Sequence, residues 1–142
     1  MPNPLDNPDI EIQLFLTLHQ KTNTLTKALE ARIKAFDLNL GRLCLLYMLE
    51  KKNYEALPSE LGDDLAVTRA NISGLLNALE KLNYIKRTFD PIDRRKIIVA
   101  MTDDGKKVLS EAWLVYEEVV KELFSELRKD EKAELLSILL RL

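Results

Sequence analysis

The chain has 142 residues, 46% of them hydrophobic and 31% charged, with a formal net charge of −2. This size suits one domain with a single core and leaves no room for an α/β barrel, and the composition excludes a disordered chain. Four glycines and five prolines lean the chain towards helix, and the acidic balance, taken whole, argues against a nucleic-acid partner.

Residues 1–8 carry Pro2, Pro4 and Pro8 and read as an extended arm. A helix of roughly 25 residues follows, with Leu14, Leu18, Leu25, Leu29, Ile33 and Phe36 on one apolar stripe. Ile10, Ile12 and Phe15 widen that surface near its start. Asp37-Leu38-Asn39 breaks the pattern, and Asn39 is a good N-cap for a second helix with Leu40, Leu43, Leu46, Met48 and Leu49. Pro58 suits the first position of a short third helix ending near Leu65. Thr68 is the cap expected for a fourth, through about Leu82, with Ile72, Leu75, Leu76 and Leu79 turned inward.

The character changes at Tyr84. Residues 84–89 and 96–101 are rich in β-branched and aromatic side chains, and Asp90-Pro91-Ile92-Asp93-Arg94-Arg95 between them has turn chemistry. This predicts a β-hairpin with a long basic tip. Thr102 caps a long helix whose stripe runs Val108, Leu109, Ala112, Tyr116, Val119, Leu123 and Leu127. Asp130 is the expected cap of a last short helix, apolar on nearly every side and therefore expected to be covered. The fold class is mainly α with a small β-hairpin wing, a winged helix-turn-helix with flanking helices.

At this point the chain resembles the MarR family of winged helix-turn-helix transcription regulators. One stretch that carries the resemblance is Pro58-Ser59-Glu60-Leu61, then Val67 through Ser73 and Leu75 through Leu82. The more specific one is Asp90 through Arg95, followed by Val99-Ala100-Met101-Thr102-Asp103-Asp104-Gly105. The resemblance implies a single domain over residues 1–142. Residues 1–37 and 102–142 would form helical dimerisation arms, and residues 38–101 the winged DNA-binding head. It further implies a cytoplasmic, ligand-responsive repressor that binds a pseudo-palindromic double-stranded DNA operator as a homodimer. Effectors in the family are commonly small aromatic or anionic molecules. Two departures stand out: Gly62, where the family usually has a small helix former, and Ala66, where it often has Gly. Gly62 inside a helix costs about 1 kcal/mol relative to Ala, and Ala66 would be strained in a turn needing positive φ.

The residues themselves supply a physical case. The fourth helix opens Thr68-Arg69-Ala70-Asn71-Ile72-Ser73-Gly74, short and mostly polar on its outer face, so it can approach base edges closely. Arg69 suits guanine and Asn71 adenine; Thr68, Ser73 and Asn77 suit phosphates or base edges. Gly74 leaves room for a close approach. In the wing, Asp93 lies two positions before Arg95, and on a strand such residues share a face. Asp93 is expected to hold the Arg95 guanidinium ready for a narrow minor groove, which attracts arginine. Arg94 and Lys96 are phosphate candidates, and Arg87 is either structural or phosphate-facing.

Other candidates are fewer. His19, Phe36, Arg42, Tyr47, Trp113 and Tyr116 are candidate ligand residues, with Arg42 suited to a carboxylate and the aromatic rings to a pocket between helices and head. Cys44, in an apolar run, reads as a small hydrophobe, and a single cysteine fits a reducing compartment. With one His and one Cys, no metal site is expected in one chain. Neither a signal peptide nor a membrane span is expected. The chain carries no glycine-rich phosphate loop and no paired His–nucleophile set, so an enzyme is not expected and no catalytic residue or cofactor is assigned. The remaining alternative is a winged-helix interaction module that has lost DNA binding, which the acidic total charge motivates.

Overall fold

The computed structural model describes residues 3–65 and 69–142, with side chains described outside 63–65 and 69–70. Thr68 and Ala66, singled out above, lie outside the described residues, as do the side chains of Arg69 and Ala70.

The helices are α1 (Ile10–Ile33), α2 (Leu40–Lys51), α3 (Pro58–Leu65), α4 (Arg69–Lys81), α5 (Asp103–Leu123) and α6 (Lys129–Leu139); the strands are β1 (Glu55–Ala56), β2 (Ile85–Phe89) and β3 (Ile97–Met101). Local chemistry explains most boundaries. The Asn39 side chain accepts from the Arg42 N–H at 2.9 Å and so starts α2. Asp37 just before it adopts φ 60°, which turns the chain out of α1. The Thr102 hydroxyl accepts from the Gly105 N–H at 3.0 Å, and Asp103 and Asp104 occupy the first turn of α5, where the helix dipole favours acid. Gly105 is required there: a Cβ would collide with the Tyr84 carbonyl oxygen.

The core joins α2, α3, α4 and the sheet to α5 and the end of α1. Leu43, Leu45, Leu46 and Leu49 of α2, Leu61 of α3, Leu79 of α4, Ile85 and Val99 of the strands and Leu109 of α5 are all fully buried. Gly41 lets α2 approach α4 closely, since a Cβ there would stand 3.2 Å from Leu75 Cδ2. Among the described residues, a Cβ added at Gly62 would meet only Ile72 Cγ1, at 3.4 Å.

Four expectations need correction. Residues 4–6 are not extended: Pro4–Asp6 form one 3-10 turn, because the Asn3 side chain accepts from the Leu5 N–H. The sheet has three strands in the order β1-β3-β2, with Glu55 opposite Ala100 and Ala56 opposite Val99; a two-residue strand is too short to show any alternation. The α5 helix stops at Leu123, so Leu127 falls beyond its stripe. Asp130 does not cap α6. Arg128 is the cap residue, its N–H bonded to Glu131 Oε1 at 2.9 Å, while Asp130 pairs with the Arg128 guanidinium at 3.2 Å.

The apolar stripe of α1 is buried only at its end. Leu29 and Ile33 are covered, whereas Leu14 and Phe15 are 58% and 67% exposed. The α6 helix, expected to be covered, is open to solvent within the single chain, with Leu136, Leu140 and Leu142 exposed. Between α5 and α6 runs an apolar cleft of about 340 Å³ lined by Val120, Phe124, Leu135, Leu136 and Leu139.

Candidate nucleic-acid interface

The α4 helix separates its faces as its sequence dictates. Ile72, Leu76 and Leu79 are buried and Leu75 is partly so, while Asn71, Ser73, Gly74 and Asn77 stand exposed. The space around Gly74 is open, with nothing within 4 Å of a Cβ built there. Among the described residues, no packing requires that glycine.

The wing forms at the β2–β3 connection, where Ile85 pairs with Met101 and Phe89 with Ile97. Its tip is organised by two aspartates. Asp90 Oδ1 accepts from the N–H groups of Ile92 (2.8 Å) and Asp93 (3.3 Å), and these bonds hold its carboxyl below the usual carboxylate range. Asp93 Oδ1 accepts from both the Arg95 N–H (3.1 Å) and Arg95 Nε (3.2 Å). The expected Asp93–Arg95 pair therefore forms, but by another route. Both residues lie in the turn and not on a strand, and a single carboxylate oxygen makes both bonds. The Arg95 side chain is 92% exposed, so its distal guanidinium nitrogens face solvent.

Arg87 is more engaged than its sequence position shows. Its Nε and Nη2 donate to the two carboxylate oxygens of Glu80, both at 3.1 Å, and Nη2 also donates to Asn77 Oδ1 at 2.8 Å. Hydrogen bonding to Arg87 holds the Glu80 carboxyl below its ordinary value, and the same bond raises that of Arg87. Glu80 was not foreseen as a site residue. Its only sequence signal is an acid on the outer face of a helix read as DNA-facing. An open cleft of about 730 Å³ lies between α3, α4 and the wing, with Ser59, Ser73, Arg87, Arg95 and Lys96 on its wall. Arg94 is exposed beside it.

The candidate ligand residues divide. Trp113 stacks between Tyr47 (centroids 4.3 Å apart) and Tyr116 (4.6 Å), and its indole N–H donates to Glu117 at 3.0 Å. Burial, and then the neighbouring Cys44 and Tyr47, raise the Tyr116 hydroxyl above its ordinary value. Burial also pushes the Cys44 thiol up. Phe36 offers its carbonyl to the Tyr84 hydroxyl at 3.0 Å. Arg42 lies elsewhere, donating to the Asp37 carbonyl at 2.8 Å and lining a shallow cleft with Asn71, Gly74 and Ala78. His19 is exposed on α1, 3.3 Å from Asn23 Nδ2 and stacked near Phe15. Among the described residues, no group of three or more His, Cys, Asp or Glu side chains could hold a metal ion, and no helix is long and apolar enough to cross a membrane.

Comparison with known proteins agrees with this geometry. The family model for a winged helix DNA-binding domain matches residues 41–124. The transcriptional regulator PapX of Escherichia coli is 31% identical over 121 residues, covering 84% of this chain and 72% of that protein. The chain spans from 44% to 84% of the length of the curated relatives compared. Two solved structures share the fold. The organohalide-sensing regulator RdhR, bound to 2,4-dichlorophenol, superposes with a TM-score of 0.90 at 19% identity, over 99% of this chain and 83% of that one. A mutant of E. coli MarR complexed with operator DNA superposes with a TM-score of 0.81 at 22% identity, over 90% and 91%.

Proposed function

Since this chain belongs to the MarR family of winged-helix, DNA-binding transcription regulators, we propose that it acts as a homodimeric, ligand-responsive repressor on a pseudo-palindromic operator. The observation that carries the reading is the wing tip: Arg95 is presented almost fully exposed, yet fixed at its base by Asp93. Such a side chain is pre-oriented for a minor groove. The exposed Asn71, Ser73 and Asn77 of α4 face the major groove, and Thr68 and Arg69 are proposed as further contacts on their residue type alone. Arg94 and Lys96 lie against phosphates.

Residues 38–101 are the reading head, and residues 1–37 and 102–142 the dimerisation arms. Support for the arms comes from the exposed apolar side chains of α1 and α6 and from the apolar cleft beside α5, the kind of surface that marks an interaction site. A small aromatic or anionic effector binding between arms and head shifts the two reading helices away from a separation of about 34 Å, one DNA turn. The known 2,4-dichlorophenol complex of RdhR is the chemical precedent. The protein works in the cytoplasm and without catalysis.

Selection of bound sequences from a random duplex library tests the proposal. Two inverted half-sites with centres about 10 base pairs apart are expected. An unpaired half-site, or no enrichment at all, overturns it.

A further inference from the structure

The Glu80–Arg87–Asn77 cluster joins elements that the DNA reading treats separately. Glu80 and Asn77 sit on α4, the helix that enters the major groove, and Arg87 sits on β2, the first strand of the wing. A bidentate arginine–carboxylate pair is the most directional ionic contact that side chains make. Here the same guanidinium nitrogen also reaches the Asn77 carbonyl oxygen. We infer that Glu80, Arg87 and Asn77 form a brace that sets the angle between reading helix and wing, with Arg87 a positioning residue and not a phosphate contact. The inference rests on the DNA reading proposed above and refines it.

Two consequences follow from the donor and acceptor inventory. The Arg87 charge is neutralised within the protein by Glu80, so its engagement releases no counterion from DNA. Asn77 has its carbonyl oxygen turned to Arg87, so the amide nitrogen is the group it offers outward. Bidentate recognition of adenine by an asparagine needs both groups. Asn77 therefore serves as a donor, to a phosphate oxygen or a purine N7, and not as an adenine reader.

The alternatives are separated by sign. If Arg87 binds phosphate, Glu80 competes with DNA for it, and Glu80→Ala strengthens binding. If Arg87 is a brace, Glu80→Ala weakens binding to the selected duplex by about tenfold. Arg87→Lys divides the readings again, because lysine is an adequate phosphate partner but cannot reproduce the fork. The brace predicts a loss similar to that of Glu80→Ala, with the slope of log K against log salt unchanged. If Arg87 binds phosphate, Arg87→Lys largely keeps the affinity, and removing the contact altogether with Arg87→Ala lowers that slope by about 0.9. Thermal melts of both variants report whether the head remains folded.

A measurement without DNA keeps the brace separate from the DNA reading. Amide exchange across residues 85–101 should quicken in Glu80→Ala and Arg87→Lys relative to the unaltered chain, while exchange in α2 stays unchanged. If wing exchange does not change, or if Glu80→Ala binds the duplex more tightly, the brace is overturned. If wing exchange quickens but no duplex is ever selected by the unaltered chain, the brace stands and the DNA reading fails.

Discussion

Helices α2 and α6 use the same leucine-rich pattern and leave it in opposite states. In α2, Leu43, Leu45, Leu46 and Leu49 are fully buried within the chain. In α6, Leu136 and Leu139 are 58% and 40% exposed, and Leu140 just beyond it is 78% exposed. Charge divides along the same line. Residues 38–101 carry net +2 and residues 102–142 net −3, while residues 81–96 alone carry net +4. The overall −2 is thus an average over two surfaces. Amphipathic periodicity shows that a helix buries a face; it does not show whether the cover comes from the same chain.

The largest effect expected is in the head. Leu46→Ala removes a side chain with no exposed area and should cost about 2–5 kcal/mol of unfolding free energy in a urea titration. A loss under 1 kcal/mol would mean the core is not where the burial places it. In the arms the sign of the comparison reverses. Leu136→Lys should leave the unfolding of the head unchanged while weakening self-association by about 2 kcal/mol or more, read by sedimentation across a concentration series. Unchanged association would remove α6 from the proposed interface.

A smaller effect separates wing from core. Glu80 has its carboxyl lowered from an ordinary 4.5 by its bond to Arg87. A lowered acid contributes fully above the ordinary value, and that contribution is lost as pH falls through the folded one. The Arg87 Nε–H resonance should therefore hold steady near neutrality and shift only below pH 4.5. A shift centred above that value contradicts the pairing. Asp90, lowered by the backbone N–H groups of Ile92 and Asp93, moves the wing tip in the same direction.

What was legible in the sequence was local. Asn39 and Thr102 cap helices because a short polar side chain reaches back over two or three residues, and the Asp93–Arg95 pair is two residues apart. Period-two spacing on a strand predicts that pair, and an Asx turn at the wing tip brings the same two residues together instead. The α6 cap was misplaced because several acidic residues follow Arg128, and the one three positions on, Glu131, closes it. The β1 strand is two residues long and exists only because β3 runs beside it. The Arg87–Glu80 tie links residues on a strand and a helix whose crossing the fold decides, so no local pattern announces it. The structure does not gather the candidate ligand residues into one place, for the same reason: Tyr47, Trp113 and Tyr116 meet between α2 and α5, whereas Arg42 faces α4 and His19 stands on α1 beside Phe15.

The central claim is that α4 reads bases and does not merely rest on the duplex. Its most direct test is Asn71→Ala, measured on the selected duplex and on a random duplex at the same salt concentration. The account predicts a loss of about 1–3 kcal/mol on the selected duplex and almost none on the random one. Equal losses on both would contradict it.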